Sequence, residues 1–169
     1  MQLDYAIAAQ SAGFLGVALN IAMRAMTADR WLKRIGVLAM TVWTLHFLLL
    51  KAWVGASCNA IEGAVTLLSL WALPVYGRMG LALLPLLPAP WLVTGFTDSL
   101  PILSSVACGF GMMFCEGIAL RMVLLLTTGL WLAYDVVSGS LGGTLAELIS
   151  LGTLIVMIWR MQSARIPQD

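Results

Sequence analysis

The sequence predicts an all-α membrane protein, a bundle of about seven transmembrane helices forming one domain over residues 1–169. Three observations carry this. Apolar residues make up 61% of the chain and charged residues only 10%, with a mean hydropathy of +0.96, far from the roughly one-quarter charged composition of a soluble domain. The apolar residues lie in long continuous runs without the alternation of a barrel strand, and in lipid only helices or closed barrels satisfy their backbone. Finally, the cations fall in alternate loops, as cytoplasmic retention of basic residues demands.

About 20 apolar residues cross a hydrocarbon core of roughly 30 Å, so 169 residues accommodate six or seven spans and little else. The spans are expected near Tyr5 to Ala25, Ile35 to Leu50, Val54 to Tyr76, Met79 to Phe96, Pro101 to Cys115, Met122 to Val137 and Gly143 to Trp159. The acidic residue in MQLDYAIAAQ argues for a first permanent span and against a signal peptide. Pro85, Pro88 and Pro90 mark the fourth span as kinked or as a linker helix. Seven spans place Arg24, Arg30, Lys33, Arg34, Arg78, Arg121, Arg160 and Arg165 on one side and only Lys51 on the other. The expected topology is N-terminus outside and C-terminus cytoplasmic.

An offset of 88 residues aligns Lys33 with Arg121, Trp43 with Trp131, Gly55 with Gly143, Ile61 with Ile149 and Trp71 with Trp159 without a gap. The expected layout is a 3+1+3 parallel repeat: one unit over about 1–77, a linker helix over about 79–97, a second unit over about 100–161, and a short cytoplasmic tail at 162–169. Parallel-repeat transporters hold their solute at the repeat interface.

Ionisable groups inside a span cost about 2.5 to 3.5 kcal/mol each, so they face a cavity or a partner. His46, Asn59, Glu62, Asp135 and Glu147 are such groups. The offset makes Asn59 equivalent to Glu147 and His46 to Tyr134, placing amide and carboxylate across a pseudo-twofold axis where a polar solute would bind. Trp43 and Trp131 lie deeper than the interfacial Trp31, Trp53, Trp71, Trp91 and Trp159, and are candidates to line a cavity. A carboxylate near His46, from Glu147 or Glu62, would make a proton relay. The bland readings are a helix-bridging Asn59, core tryptophans, and a Glu147 tolerated near a helix N-terminus although it has no cation nearby in sequence. Glu116 is near enough to Arg121 to pair with it.

Other chemistry finds little support. Cys58, Cys108 and Cys115 are odd in number, lack a metal-ligand spacing and read as small core residues. One histidine, no nucleophile elbow and no basic-aromatic cluster argue against an enzyme, a metal or other cofactor, and nucleic acid. The expected partners are the bilayer and a small polar solute; small transporters of this layout include homo-oligomers, and no feature fixes that state. The competing class is a non-transporting scaffold or regulatory subunit of a partner complex.

The stretches LHFLLLKAWVGASCNAIEGAVTLL and VVSGSLGGTLAELISLGTLIVMIWRMQ resemble the YgjV-type bacterial inner-membrane proteins. The specific elements are His46 between Leu45 and Phe47, the Asn59-Ala60-Ile61 step, the Gly139 to Thr144 turn with Glu147, and the closing Trp159-Arg160-Met161-Gln162. The resemblance implies a polytopic inner-membrane protein and no particular activity. Glu62 departs from it, standing where a basic residue is expected. The layout also resembles the SWEET and PQ-loop transporters at the level of fold alone, as no Pro-Gln pair is present.

Overall fold

The computed structural model describes residues 2–138 and 141–164. The described residues form eight α-helices and one 3-10 turn, with no strand among them. They are α1 (Gln2–Arg24), α2 (Asp29–Leu49), α3 (Trp53–Leu68), α4 (Val75–Ala82), α5 (Ala89–Leu92), α6 (Phe96–Phe114), α7 (Gly117–Ser138) and α8 (Leu141–Ser163). Three, Asp29–Leu49, Gly117–Val137 and Gly143–Ser163, are long and apolar enough to cross a membrane. The Gly139–Ser140 part of the predicted turn lies outside the described residues.

The expected fourth span is not one helix. α4 stops at Ala82, a 3-10 turn covers Leu84–Leu86, and α5 is a single turn. Each of Pro85, Pro88 and Pro90 lacks an N–H and crowds the preceding turn, which is enough to break a helix. The third span is also shorter than expected, since α3 ends at Leu68 ahead of the Leu73-Pro74 step that disfavours helix.

The six long helices close into a ring. Sequence neighbours pack together, α3 packs against α6 across the linker, and α8 packs against α1. Hydrogen bonds between loops fix the helix directions. Asp29, in the first turn of α2, accepts from the Gly117 N–H at 2.8 Å and from the Arg121 guanidinium. Arg121 also donates to Met26 O at 2.8 Å and Thr27 O at 2.9 Å, the exposed carbonyls where α1 ends. In return Lys33 Nζ donates to Met112 O at 2.7 Å, near the end of α6. The α1–α2 and α6–α7 connections are thus fastened together, and α1 and α6 terminate at the same, basic end of the bundle. The expected Glu116–Arg121 pair gives way to Arg121–Asp29, because the guanidinium lies completely buried between the two connections, within reach of α1's last carbonyls.

Arg78, near the start of α4, donates to Met113 O at 3.1 Å at that same end, whereas α6 begins at the other. The broken linker therefore runs the length of the bundle. At the far end α2 stops in a Schellman motif: Ala52 N donates to Phe47 O at 2.9 Å, and Lys51 takes the left-handed conformation at φ 58°.

A compact apolar layer of Met23, Leu32, Cys108, Met112, Leu120, Leu124 and Leu154 fills the ring near the basic end. Outward-facing Leu, Ile, Val and Phe side chains are exposed around the bundle, the inverse of a soluble protein's surface and the form expected where lipid is the solvent. Trp31, Trp53, Trp71, Trp91 and Trp159 are exposed, while Trp43 and Trp131 turn inward. Cys58 and Cys108 are buried as expected, and Cys115, at the C-cap of α6, is only half-buried.

Candidate functional site

Helical spacing builds the site. α1 presents Gln10, Gly13, Val17, Asn20 and Arg24 at steps of three and four; α7 does the same with Leu124, Thr127, Trp131 and Asp135, and α8 with Gly143 and Glu147. Together with α2, α3 and α6 these faces enclose a cavity of about 270 Å3 inside the ring. The apolar layer bounds it toward the basic end.

At the heart of the cavity is Arg24, only 5% exposed. Its Nη1 donates to Ser150 Oγ at 2.9 Å, its Nη2 donates to Thr128 Oγ1 at 3.0 Å, and Nη2 lies 3.5 Å from Glu147 Oε2. The Asn20 amide is oriented so that its oxygen accepts from both Arg24 Nη1 and Trp43 Nε1, each at 3.1 Å. Glu62, 5% exposed, accepts from Ser105 Oγ at 2.5 Å and lies within Coulombic reach of Arg24 and Glu147. One guanidinium is thus flanked by two carboxyl groups in the buried interior, where each charge needs its partner. Within this group two buried polar atoms have no hydrogen bond: Arg24 Nε and Glu147 Oε2.

The sequence assigns Arg24 to a cytoplasmic loop, and the structure corrects this. It is the last residue of α1, and its long side chain leans toward the helix N-terminus and into the ring. It is also the partner that sequence reading could not find for Glu147, 123 positions away in the chain.

An aromatic wall stands beside this charged group. Trp43 stacks on Phe47 at 5.8 Å between ring centroids, and Phe47 on Trp131 at 6.2 Å, so one ring joins two tryptophans 88 positions apart. Trp43 meets His46 edge-on at 5.2 Å and 87°, and Trp131 meets Tyr134 at 5.8 Å and 84°. Gly13 and Gly16 on α1 give these rings room: a Cβ would lie 3.0 Å from His46 Cε1 at the first and 2.9 Å from Trp43 Cε2 at the second.

Six of the seven candidate residues, Asn59, Glu147, His46, Glu62, Trp43 and Trp131, line this one cavity. Tyr134 is not among the lining residues and packs behind Trp131. The Asn59 amide donates to Gly55 O at 2.9 Å within its own helix. The expected His46–glutamate relay is not formed, because His46 Nδ1 meets Ala9 O at 2.8 Å and the ring packs among Trp43 and Phe47. Asp135 has its carboxyl against Gly143, where a Cβ would lie 2.5 Å from Oδ2, in the first turn of α8 where a negative charge meets the helix dipole favourably. Among the described residues no group of histidine, cysteine and acidic side chains could hold a metal ion.

These features define a helical membrane protein with a charged, aromatic-walled cavity in its core. The chain belongs to the bacterial inner membrane protein family Imp-YgjV, whose profile matches residues 7–165. It is 28% identical to inner membrane protein YgjV of Escherichia coli (strain K12) over 94% of this chain and 88% of that one. No solved structure matches it.

Proposed function

We propose that the protein is a small-solute transporter of permease type, with the Arg24–Glu147–Glu62 cavity as its binding site. In this reading seven spans run from an outer N-terminus to a cytoplasmic C-terminus, and the broken linker is the fourth. The observation that carries the proposal is the ion pair itself: Arg24 and Glu147, from the two repeat units, meet at 3.5 Å inside a cavity that a packed apolar layer bounds toward the basic end. Charges this costly in a membrane are held where function needs them. Alternating access follows from the fastenings at the basic end. Lys33 and Arg121, equivalent at the 88-residue offset, each bind carbonyls at or just past the end of the other unit's first helix. Rocking one unit against the other would release these bonds and open the cavity to the cytoplasm. No chemical conversion is required of any residue.

The test is uptake of a mixture of labelled small polar metabolites into proteoliposomes, with and without a pH gradient. Saturable uptake by the wild type, lost in Glu147→Gln that is still folded at the assay temperature, supports the proposal. Folded protein that takes up none of the mixture and instead retains a partner on purification would favour a scaffold or regulatory subunit.

A further inference from the structure

The charge and shape of the cavity narrow the solute. Three carboxyl groups, of Glu62, Asp135 and Glu147, face it against the single guanidinium of Arg24. Asp135 is engaged with partners of its own at the start of α8. The remaining group of Glu62, Arg24 and Glu147 is one positive charge short of balance when both glutamates are ionised. Arg24 is already largely engaged: Nη1 donates to Ser150 and Asn20 and Nη2 donates to Thr128, which leaves Nε and the second Nη2 hydrogen on the Glu147 side. Glu147 is placed differently. Its Oε2 is buried and accepts no hydrogen bond, and the 3.5 Å separation from Arg24 exceeds a charge-assisted bond of about 2.7 to 2.9 Å. A donor is missing there.

The aromatic wall supplies the second half of the argument. Trp43 is joined to Arg24 through Asn20, so the stacked Trp43, Phe47 and Trp131 rings stand next to the charged group. Carboxylates beside indole faces are the standard surroundings of an organic ammonium, which gains Coulomb energy from the first and cation–π attraction from the second. The volume of about 270 Å3 falls just under the ~300 Å3 at which sites for drug-sized ligands begin, so the solute is small.

Building on the transporter reading, we infer that the solute is a small organic monocation, an amine whose ammonium donates to Glu147 Oε2 and whose apolar or aromatic body lies against Trp43 and Trp131. A neutral polyol would leave the excess carboxylate unbalanced. A carboxylate solute would add negative charge to a site already rich in it.

Purified full-length protein in lipid nanodiscs tests this by titration of its tryptophan fluorescence. The probes are monoamines from methylamine through phenethylamine to tryptamine, 2-phenylethanol as a neutral isostere of phenethylamine, and phenylacetate as the anion. The expected result is saturable quenching by at least one amine, with 2-phenylethanol and phenylacetate at least about tenfold weaker. The amine's affinity should fall at least about tenfold in Glu147→Gln, and should be unchanged in Glu116→Gln outside the cavity. Equal affinity for 2-phenylethanol or phenylacetate overturns the inference while leaving a cavity that binds solutes, and this comparison uses the wild type alone. No binding of any amine overturns it too; uptake of a non-cationic solute in the proteoliposome screen would then keep the transporter reading without it.

Discussion

Arg24 decides more of this molecule than any other side chain. Four neighbours from α1, α7 and α8 converge on its guanidinium. Arg24→Gln leaves Glu147 without its cation, and loss of one partner of a buried pair costs about 3 to 5 kcal/mol. The double variant Arg24→Gln/Glu147→Gln is expected to recover part of that loss, read as the unfolding midpoint of each protein in detergent; a double variant less stable than Arg24→Gln alone would deny the coupling. Gly16→Ala places a methyl 2.9 Å from the Trp43 ring and is expected to destabilise by about 1 to 3 kcal/mol in the same assay. Residue spacing revealed the faces of this site before their relation. Asn59 and Glu62 share a helix face three positions apart, and Glu147 stood out as an isolated carboxylate in an apolar run. That Glu147 meets Arg24 was illegible, because a cation at a span's end reads equally as an interfacial anchor and as a side chain leaning inward.

The elements divide the same way. The long helices were legible from apolar runs bounded by charge, and three of them are long and apolar enough to cross a membrane. The linker was only half legible: its prolines signalled a break, but its course along the bundle depends on where Arg78 and the end of α6 meet. The fastening of α2 and α7 at the basic end was hidden for a similar reason. Lys33 and Arg121 read as loop cations although both cap helix C-termini across the repeat boundary. Arg121 is fully buried, and Arg121→Met would leave Asp29 unpaired and the Met26 and Thr27 carbonyls without a donor. A loss of at least about 3 kcal/mol in stability is expected, together with faster proteolysis in the 25–30 and 114–118 connections; an unchanged unfolding midpoint would remove this fastening from the account. At the other end, Lys51 holds φ 58° where glycine is better suited, so Lys51→Gly is expected to raise the midpoint by an amount equivalent to about 1 kcal/mol.

At the scale of the whole molecule, some positions 88 residues apart carry similar side-chain arrangements. Trp43 with His46 and Trp131 with Tyr134 form edge-on pairs of nearly the same geometry, 88 positions apart, and the ring order of helices is unchanged by exchanging α1, α2 and α3 for α6, α7 and α8. The site breaks this symmetry, because Met112 stands where Arg24 would have its counterpart. In the proposed transporter reading, such an arrangement would open toward either face while keeping a single binding site. In that reading, this cavity is reached by water from the face opposite the basic loops while the basic end is fastened. The most direct test is labelling of Thr127→Cys, a buried position lining the cavity, by a membrane-impermeant thiol reagent applied to one face of oriented membranes, in a background with Cys58, Cys108 and Cys115 replaced by alanine. The account predicts modification from the face opposite the basic loops, slowed by a bound solute. Protection from both faces in folded protein, or modification only from the basic face, would contradict it.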